Sequence, residues 1–382
     1  MKHHGIAVLG ATGSIGQQVI EIIEEFPERF ELVSVTAGTD VVSVAKIKAR
    51  HRDTYVAVAN LPKGRSAAPK GIEVGEGAII RAATHEKADL VVVAISGFAS
   101  LKPTVAALEA DKDVSLASKE ALVVAGELVM AAARTRGRWI LPIDSEHSAI
   151  WQCRWGEDLT TISGITLTGS GGPFRKVPLE KLRDVTVEDA LKHPTWKMGP
   201  KITIDSATMM NKALELIELH HLFDIPYEQM RVVIHPQSIV HSLVDFVDGC
   251  TKAQLGLPDM RVPISITLGY PERLFRHPQP LRLDEVGRLD FEAPDPVRYP
   301  AIGLGMEAGT KGQTYPTVLN AANEVAVQLF LDRQLTFDRI VPLVADALAA
   351  HSPRPVDSIE TLVEVDAQAR DWARNKAGAV TV

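Results

Sequence analysis

The feature that most constrains this chain is the alternation that fills its first 144 residues. Short, nearly uninterrupted apolar runs, GIAVLG (5–10), ELVSVTAG (31–38), YVAVAN (55–60), ADLVVVAI (88–95), DVSLAS (113–118) and RWILPID (138–144), are separated by stretches such as SIGQQVIEIIEEF, LKPTVAALEA and KEALVVAGELVMAAARTR. A strand wetted on one side alternates apolar and polar residues. A strand that is apolar on both sides must be covered on both faces, and helical crossovers provide that cover in a parallel sheet. Ligands of such sheets bind at the carboxyl ends of the strands.

The pattern changes near residue 150. GITLTGSGGPF, RVVIHPQSIVHSLVDFVDG and TKAQLG read as strands of a mostly antiparallel sheet, with a strong helix at MMNKALELIELHHLF between them. The stretch from 270 to 300 is rich in Pro and Arg and weakly periodic, and reads as a linker crossing the surface. Segments such as PTVLNAANEVAVQLFLDRQ and DRIVPLVADALAAH predict a small helical bundle at the C-terminus. A chain of 382 residues accommodates several cores. The expected division is an N-terminal domain at 1–149, a central α+β domain at 150–269, a linker at 270–295 and a helical domain at 296–382.

Composition narrows the class of partner. The formal charge of −7 argues against nucleic acid or an anionic membrane as the main partner. No apolar run reaches the roughly 20 residues that a bilayer requires. The two cysteines, Cys153 and Cys250, form no metal-binding spacing and are expected as reduced structural thiols. The N-terminus enters a strand almost at once, which leaves no room for a targeting segment and predicts a protein of the cytoplasm of a bacterium-like cell.

Several motifs carry chemistry. GATGSIG follows the first strand and opens the first helix, the context of a dinucleotide fingerprint. The N–H groups of Thr12, Gly13, Ser14 and Ile15 would face a pyrophosphate there, unless the motif is an ordinary tight turn. After the second strand, Asp40 alone hints at a ribose hydroxyl rather than a 2′-phosphate. Lys119 and Glu120 sit at the carboxyl end of the fifth run. They suit either a substrate oxygen or a surface ion pair behind a Ser118 N-cap. Asp144 and Glu146 end the sixth run. In extended chain they point the same way and would repel without a hard cation between them; the competing reading is a helix cap. Ser170 lies in a second Gly-rich loop, either an anion nest or a flexible hairpin.

In IDSATMMNKALELIE, Asp205 and Ser206 are N-cap types, and Asn211, Lys212 and Glu215 share one helix face. That face is either a solvated ion pair or a set of phosphate donors with a deeper carboxylate. HPTWKMG (193–199) places His193, Trp196 and Met198 in a loop, where Trp196 either covers a ligand or packs inward. His235 and His241 fall on expected strands and read as structural histidines.

Taken together, GATGSIG, SKE, PIDSEH, TGSGGPFR, HPTWKMG, DSATMMNKALE, HPQSIVHS, LGLPDMR and LNAANE occur in this order from residue 10 to about 324. In this the chain resembles the 1-deoxy-D-xylulose 5-phosphate reductoisomerases from end to end. The resemblance implies an α/β fold: an N-terminal Rossmann-like parallel sheet, a central α+β catalytic domain and a C-terminal helical bundle. It implies NADPH- and metal-dependent rearrangement and reduction of a phosphorylated sugar to 2-C-methyl-D-erythritol 4-phosphate, in non-mevalonate isoprenoid biosynthesis, by a homodimer. The metal (Mg²⁺, Mn²⁺ or Co²⁺) would be held by Asp144, Glu146 and Glu215. Those three, with Lys119 and His193, form the implied catalytic set. Ser170, Ser206, Asn211 and Lys212 match the phosphate site. Ser145 and His193 match further substrate contacts, Trp196 and Met198 the covering loop, and His241 the surroundings of the site. Implied cofactor contacts are Thr12, Gly13, Ser14, Ile15, Gly38, Thr39, Asp40, Ser118, Glu120, Met198 and Gly199. Two positions depart from the family: Ser118 stands where Asn is usual, and Thr39–Asp40 where a basic residue and Asn are usual. The competing functions are another NAD(P)-dependent dehydrogenase of a phosphorylated substrate, which would need no metal, and a dinucleotide-sensing regulator.

Overall fold

The computed structural model describes residues 3–193, 195–196, 198–274 and 279–380. Parts of two expected segments, residues 194 and 197 of the covering loop and 275–278 of the linker, lie outside the described residues. The chain forms two compact bodies, one of Met1–Ala121, Val129–Ser148 and Asp259–Pro278, the other of Leu122–Leu128, Ala149–Pro258 and Gln279–Val382.

The first part of the chain runs β1 (Gly5–Leu9), α1 (Ser14–Glu25), β2 (Glu31–Ala37), α2 (Val41–Arg50), β3 (Tyr55–Val58), β4 (Glu73–Val74), α3 (Glu76–Ala83), β5 (Leu90–Val93), α4 (Leu101–Glu109), β6 (Asp113–Leu116), α5 (Glu120–Arg136), β7 (Ile140–Pro142) and α6 (Ser145–Cys153). The strands form one sheet in the order β4-β3-β2-β1-β5-β6-β7, and every neighbouring pair is parallel. Ile6, Ala7, Val8 and Leu9 of the central strand are fully buried, as burial on both faces requires. The winding reverses between β1 and β5. Their carboxyl ends are therefore the switch point where ligands of such sheets bind.

Two details differ from the sequence reading. Strand β4 has two residues, both exposed, too few for a period to show. Strand β7 stops at Pro142 instead of running to Asp144. It is an edge strand, where the missing proline N–H leaves no ladder bond unmade.

The second body begins with β8 (Ile162–Gly169), α7 (Val187–Ala190), α8 (Pro200–Thr208), α9 (Met210–Phe223), β9 (Met230–Ile234), β10 (Val240–Phe246) and β11 (Thr251–Leu255). Helix α10 (Arg261–Gly269) returns to the first body, where it touches α1 and β7. Then follow α11 (Leu283–Val286), α12 (Pro300–Lys311), α13 (Tyr315–Leu331), α14 (Ile340–Ala350) and α15 (Ile359–Val380). The second sheet has the order β11-β10-β8-β9. Strand β10 is antiparallel to β8 and β11, whereas β8 and β9 are parallel. The parallel pair is possible because α8 and α9 lie on the crossover between its strands. Ile165 and Leu167 of β8, Leu214 and Ile217 of α9, and Leu319 and Ala326 of α13 share one buried cluster. The C-terminal helices thus complete the core of the sheet.

Candidate active site

In the first body, the GATGSIG turn leaves β1 at the switch point. Gly16 is required by close approach: a Cβ there would stand 2.3 Å from Gly10 O and 2.6 Å from Ala11 Cα. This lets α1 begin directly over the strand end. Gly13 N–H donates to Gly10 O at 3.1 Å and closes the turn, and Gly13 caps α1 without a side chain. Thr12 and Ile15 are partly exposed and Ser14 exposed, at a helix N-terminus whose first N–H groups attract anions. Gly38, Thr39 and Asp40 are exposed beyond β2. Asp40 caps α2 by accepting from Ser43 N–H at 2.9 Å, and that backbone hydrogen bond holds its carboxyl below the usual range.

Lys119, Glu120 and Ser118 are buried at the end of β6. Ser118 Oγ lies 3.0 Å from Glu120 Oε2 and 2.9 Å from Ser100 Oγ, within hydrogen-bond reach of both. The capping alternative for Ser118 is not realised, because Lys119 occupies the cap position of α5 without a side-chain cap bond. Lys119 Nζ lies 2.5 Å from Asp144 Oδ2. The extended-chain picture of Asp144 and Glu146 is also corrected. Asp144 O accepts the first bond of α6 from Ser148 N–H at 2.8 Å, and Glu146 already lies in the helix's first turn. Asp144 therefore stands at the cap position while its carboxylate meets Lys119. Ser145 Oγ donates to Glu146 Oε2.

The second body gathers the other group. The DSATMMNKALE stretch is two helices, not one. Pro200 at the first position starts α8, so Asp205 and Ser206 lie in its last turns and cap nothing. Asp205 instead pairs with Lys201 Nζ at 2.9 Å and accepts from Asn323 Nδ2 at 2.8 Å. Met209, in the left-handed region at φ +59°, breaks the chain before α9. The break brings Ser206 of α8 beside the loop after β8. His193 Nε2 lies 3.0 Å from Ser206 Oγ and 3.1 Å from Ser170 Oγ.

His193 Nδ1 accepts from Thr195 N–H at 3.2 Å and Trp196 N–H at 3.0 Å. Because Nδ1 is an acceptor, the ring proton is on Nε2, which donates to the serines. Burial, reinforced by the Lys212 charge, pushes the imidazole down to about 4, so it is neutral at physiological pH. On α9, Glu215 is fully buried and Lys212 nearly so. Lys212 Nζ lies 2.6 Å from Glu215 Oε2, and Asn211 Nδ2 donates to Glu215 Oε1. The Lys212 side chain passes Gly169, where a Cβ would sit 3.2 Å from its Cε. Its cation thus belongs to the same neighbourhood as Ser170.

Trp196 is partly buried, its ring 6.1 Å from that of His241; Met198 is also partly buried and Gly199 exposed. His241 lies on β10, but His235 falls just past the end of β9. The nitrogens of His235 are engaged by Asp290 O at 2.8 Å and Ile239 N–H at 3.1 Å, which bears out its structural reading. Tyr299 was not apparent from sequence: its hydroxyl donates to Gly171 O at 2.8 Å, against the Ser170 loop. Among the described residues, no helix is long and apolar enough to cross a membrane.

Comparison with known proteins places this arrangement. Residues 6–126 match the 1-deoxy-D-xylulose 5-phosphate reductoisomerase domain, and residues 140–223 and 255–372 match the two C-terminal domains of the same enzyme. The chain is 48% identical to the 1-deoxy-D-xylulose 5-phosphate reductoisomerase of Chloroherpeton thalassium and 47% identical to that of Thermomicrobium roseum, covering 98% of each partner in both alignments. It superposes on the Zymomonas mobilis enzyme, solved in complex with NADPH, with a TM-score of 0.89 at 40% identity, covering 98% of this chain and 99% of that one. It also superposes on a DOX-P reductoisomerase in complex with NADPH, fosmidomycin and magnesium, with a TM-score of 0.90 at 38% identity over 99% of each. The chain belongs to the 1-deoxy-D-xylulose 5-phosphate reductoisomerase family.

Proposed function

We infer that this chain converts 1-deoxy-D-xylulose 5-phosphate to 2-C-methyl-D-erythritol 4-phosphate, using NADPH and a divalent cation, within isoprenoid biosynthesis. The observation that carries this reading is the cluster of Ser170, Ser206 and His193 beside Lys212, set in a chain of this family. Neutral hydrogen-bond donors next to one buried ammonium suit a phosphate.

The residues fit both implied groups. Asp144, Glu146 and Glu215 offer only carboxylate oxygens, the donor set of Mg²⁺ or Mn²⁺, and we assign them as its ligands. The β1–α1 turn, with Gly16 admitting the helix so close, suits a pyrophosphate. When bound, the cation polarises the substrate's oxygens as a Lewis acid and NADPH supplies the hydride.

The chain's own residues do the remainder. Ser170, Ser206, His193, Asn211 and Lys212 grip the phosphate, far from the reacting carbons, so that its binding energy orients the reacting end. Lys119, held on Asp144, and Ser145 offer hydrogen bonds to the substrate's oxygens. Trp196 and Met198 cover the substrate and exclude water. The remaining assigned contacts, at Thr12–Ile15, Gly38–Asp40, Ser118, Glu120 and Gly199, hold the cofactor. The enzyme is proposed to work in the bacterial cytoplasm as a homodimer joined through the second sheet. The exposed residues Thr251, Lys252 and Ala253 of edge strand β11 support that surface.

The test is turnover of 1-deoxy-D-xylulose 5-phosphate, followed by NADPH oxidation. A chelator should abolish it and added Mg²⁺ or Mn²⁺ restore it. Metal-independent turnover would overturn the carboxylate assignment.

A further inference from the structure

The segment 288–299 falls in the stretch that the sequence suggested was a surface linker, yet it is fastened to the Ser170 loop. Glu292 forms a two-bond bridge with Ile234, at 2.8 and 2.9 Å, and its carboxylate lies 2.5 Å from Arg175. Arg298 Nη1 donates to Phe174 O at 3.0 Å. Tyr299, 5% exposed, donates from its hydroxyl to Gly171 O at 2.8 Å.

That last bond acts on a particular peptide unit. The C=O of Gly171 and the N–H of Gly172 belong to the same planar group and point in opposite directions. The N–H end donates to Ser170 Oγ at 3.2 Å, and the C=O end is held by Tyr299. Gly171 and Gly172 adopt φ of +78° and +68°. With no Cβ on either side, the unit between them turns over more readily than any other in the loop. A reversed unit would present a carbonyl oxygen, instead of an N–H, on the side of Ser170 and the phosphate.

We propose that Tyr299 is a positioning residue for phosphate recognition: it holds the Gly171–Gly172 peptide with its N–H toward Ser170 and its carbonyl oxygen away from the anion. The proposal rests on the reading of Ser170 as a phosphate contact. Burial raises the Tyr299 hydroxyl above its ordinary value, so it remains a proton donor throughout the working range.

The test compares Tyr299→Phe, which keeps the ring and removes only the donor, with Ser170→Ala. Four quantities are read: KM for the phosphorylated substrate, competitive inhibition by inorganic phosphate, KM for NADPH, and the melting midpoint. Tyr299→Phe should raise the substrate KM and the phosphate inhibition constant together by about fivefold, the scale of one neutral hydrogen bond. KM for NADPH and kcat should not move, and the melting midpoint should fall by no more than a few degrees, the loss of one buried hydrogen bond. A raised KM in Ser170→Ala with wild-type values in Tyr299→Phe overturns the lock and leaves the phosphate reading standing. Wild-type values in both variants overturn both. A parallel loss in NADPH affinity with a larger fall in melting midpoint overturns the lock in favour of general packing.

Discussion

Gly172→Ala tests the construction of the phosphate site most directly. Gly172 sits at φ +68°, where an L-residue with a Cβ costs about 1–2 kcal/mol. The added Cβ would stand 2.7 Å from Ala207 Cα and 3.0 Å from Ser206 O. Both are backbone atoms of α8, so no rotamer change relieves the contact. Overpacking of this kind typically costs about 1–3 kcal/mol. The relief available is to move the Ser170 loop away from α8, which separates the two hydroxyls that share His193. If about 2 kcal/mol must be repaid each time the phosphate draws them together, KM rises roughly 30-fold.

Steady-state NADPH oxidation measures that rise, and a urea titration measures the stability loss. Gly303→Ala is the control. Gly303 is exposed within α12, and an alanine methyl there would have no atom within 4 Å. The change should stabilise by about 0.5–1 kcal/mol with KM unaltered. Wild-type KM and stability in Gly172→Ala would refute the reasoning, since both the backbone cost and the contact would then be absent.

Two further outcomes are expected. Asp40→Asn keeps a side-chain oxygen for the Ser43 N–H and removes a negative charge beside the assigned cofactor position. It should raise kcat/KM for NADPH several-fold, leave that for NADH unchanged and preserve stability, whereas Asp40→Ala should lose about 1 kcal/mol of capping; equal changes with both nucleotides would place the cofactor's 2′-phosphate elsewhere. For His193, the folded-state value is lowered from 6.5 to about 4, so the unfolded chain takes up this proton first. Its contribution is intact above pH 6.5 and stability falls as pH drops from 6.5 to 4, by at most about 1.4 kcal/mol per unit and less at this part-exposed position. Urea midpoints of His193→Gln across that window should show a shallower slope than wild type, and an identical slope would contradict the shift.

The parts of the fold legible in the sequence were those written as local periodicity. The doubly apolar runs around Val8 and Val92 could only be strands covered on both faces, and they are. The two exposed residues of β4 leave no such trace. The break at Met209 was hidden for another reason: methionine is not a residue type that announces a left-handed turn, and burial of its side chain stabilises it there instead. Asp144 was ambiguous between cap and charged partner because it occupies both roles, one with its carbonyl and one with its carboxylate. The grouping of Asn211, Lys212 and Glu215 followed from helical spacing alone. That of Ser170 with Ser206 did not, since it depends on how α8 packs against the loop after β8. Tyr299 was invisible because its partner lies 128 positions away.

The orientation of the His193 ring has a consequence for the ligand. With Nδ1 filled by two backbone donors, the imidazole offers one proton and has no vacant lone pair with which to gain another without losing the Thr195–Trp196 turn. A phosphate monoester gains its second charge near pH 6, whereas this histidine remains uncharged there. The change in electrostatic attraction across neutral pH is therefore delegated to the guest, and the host meets the monoanion and the dianion with the same face.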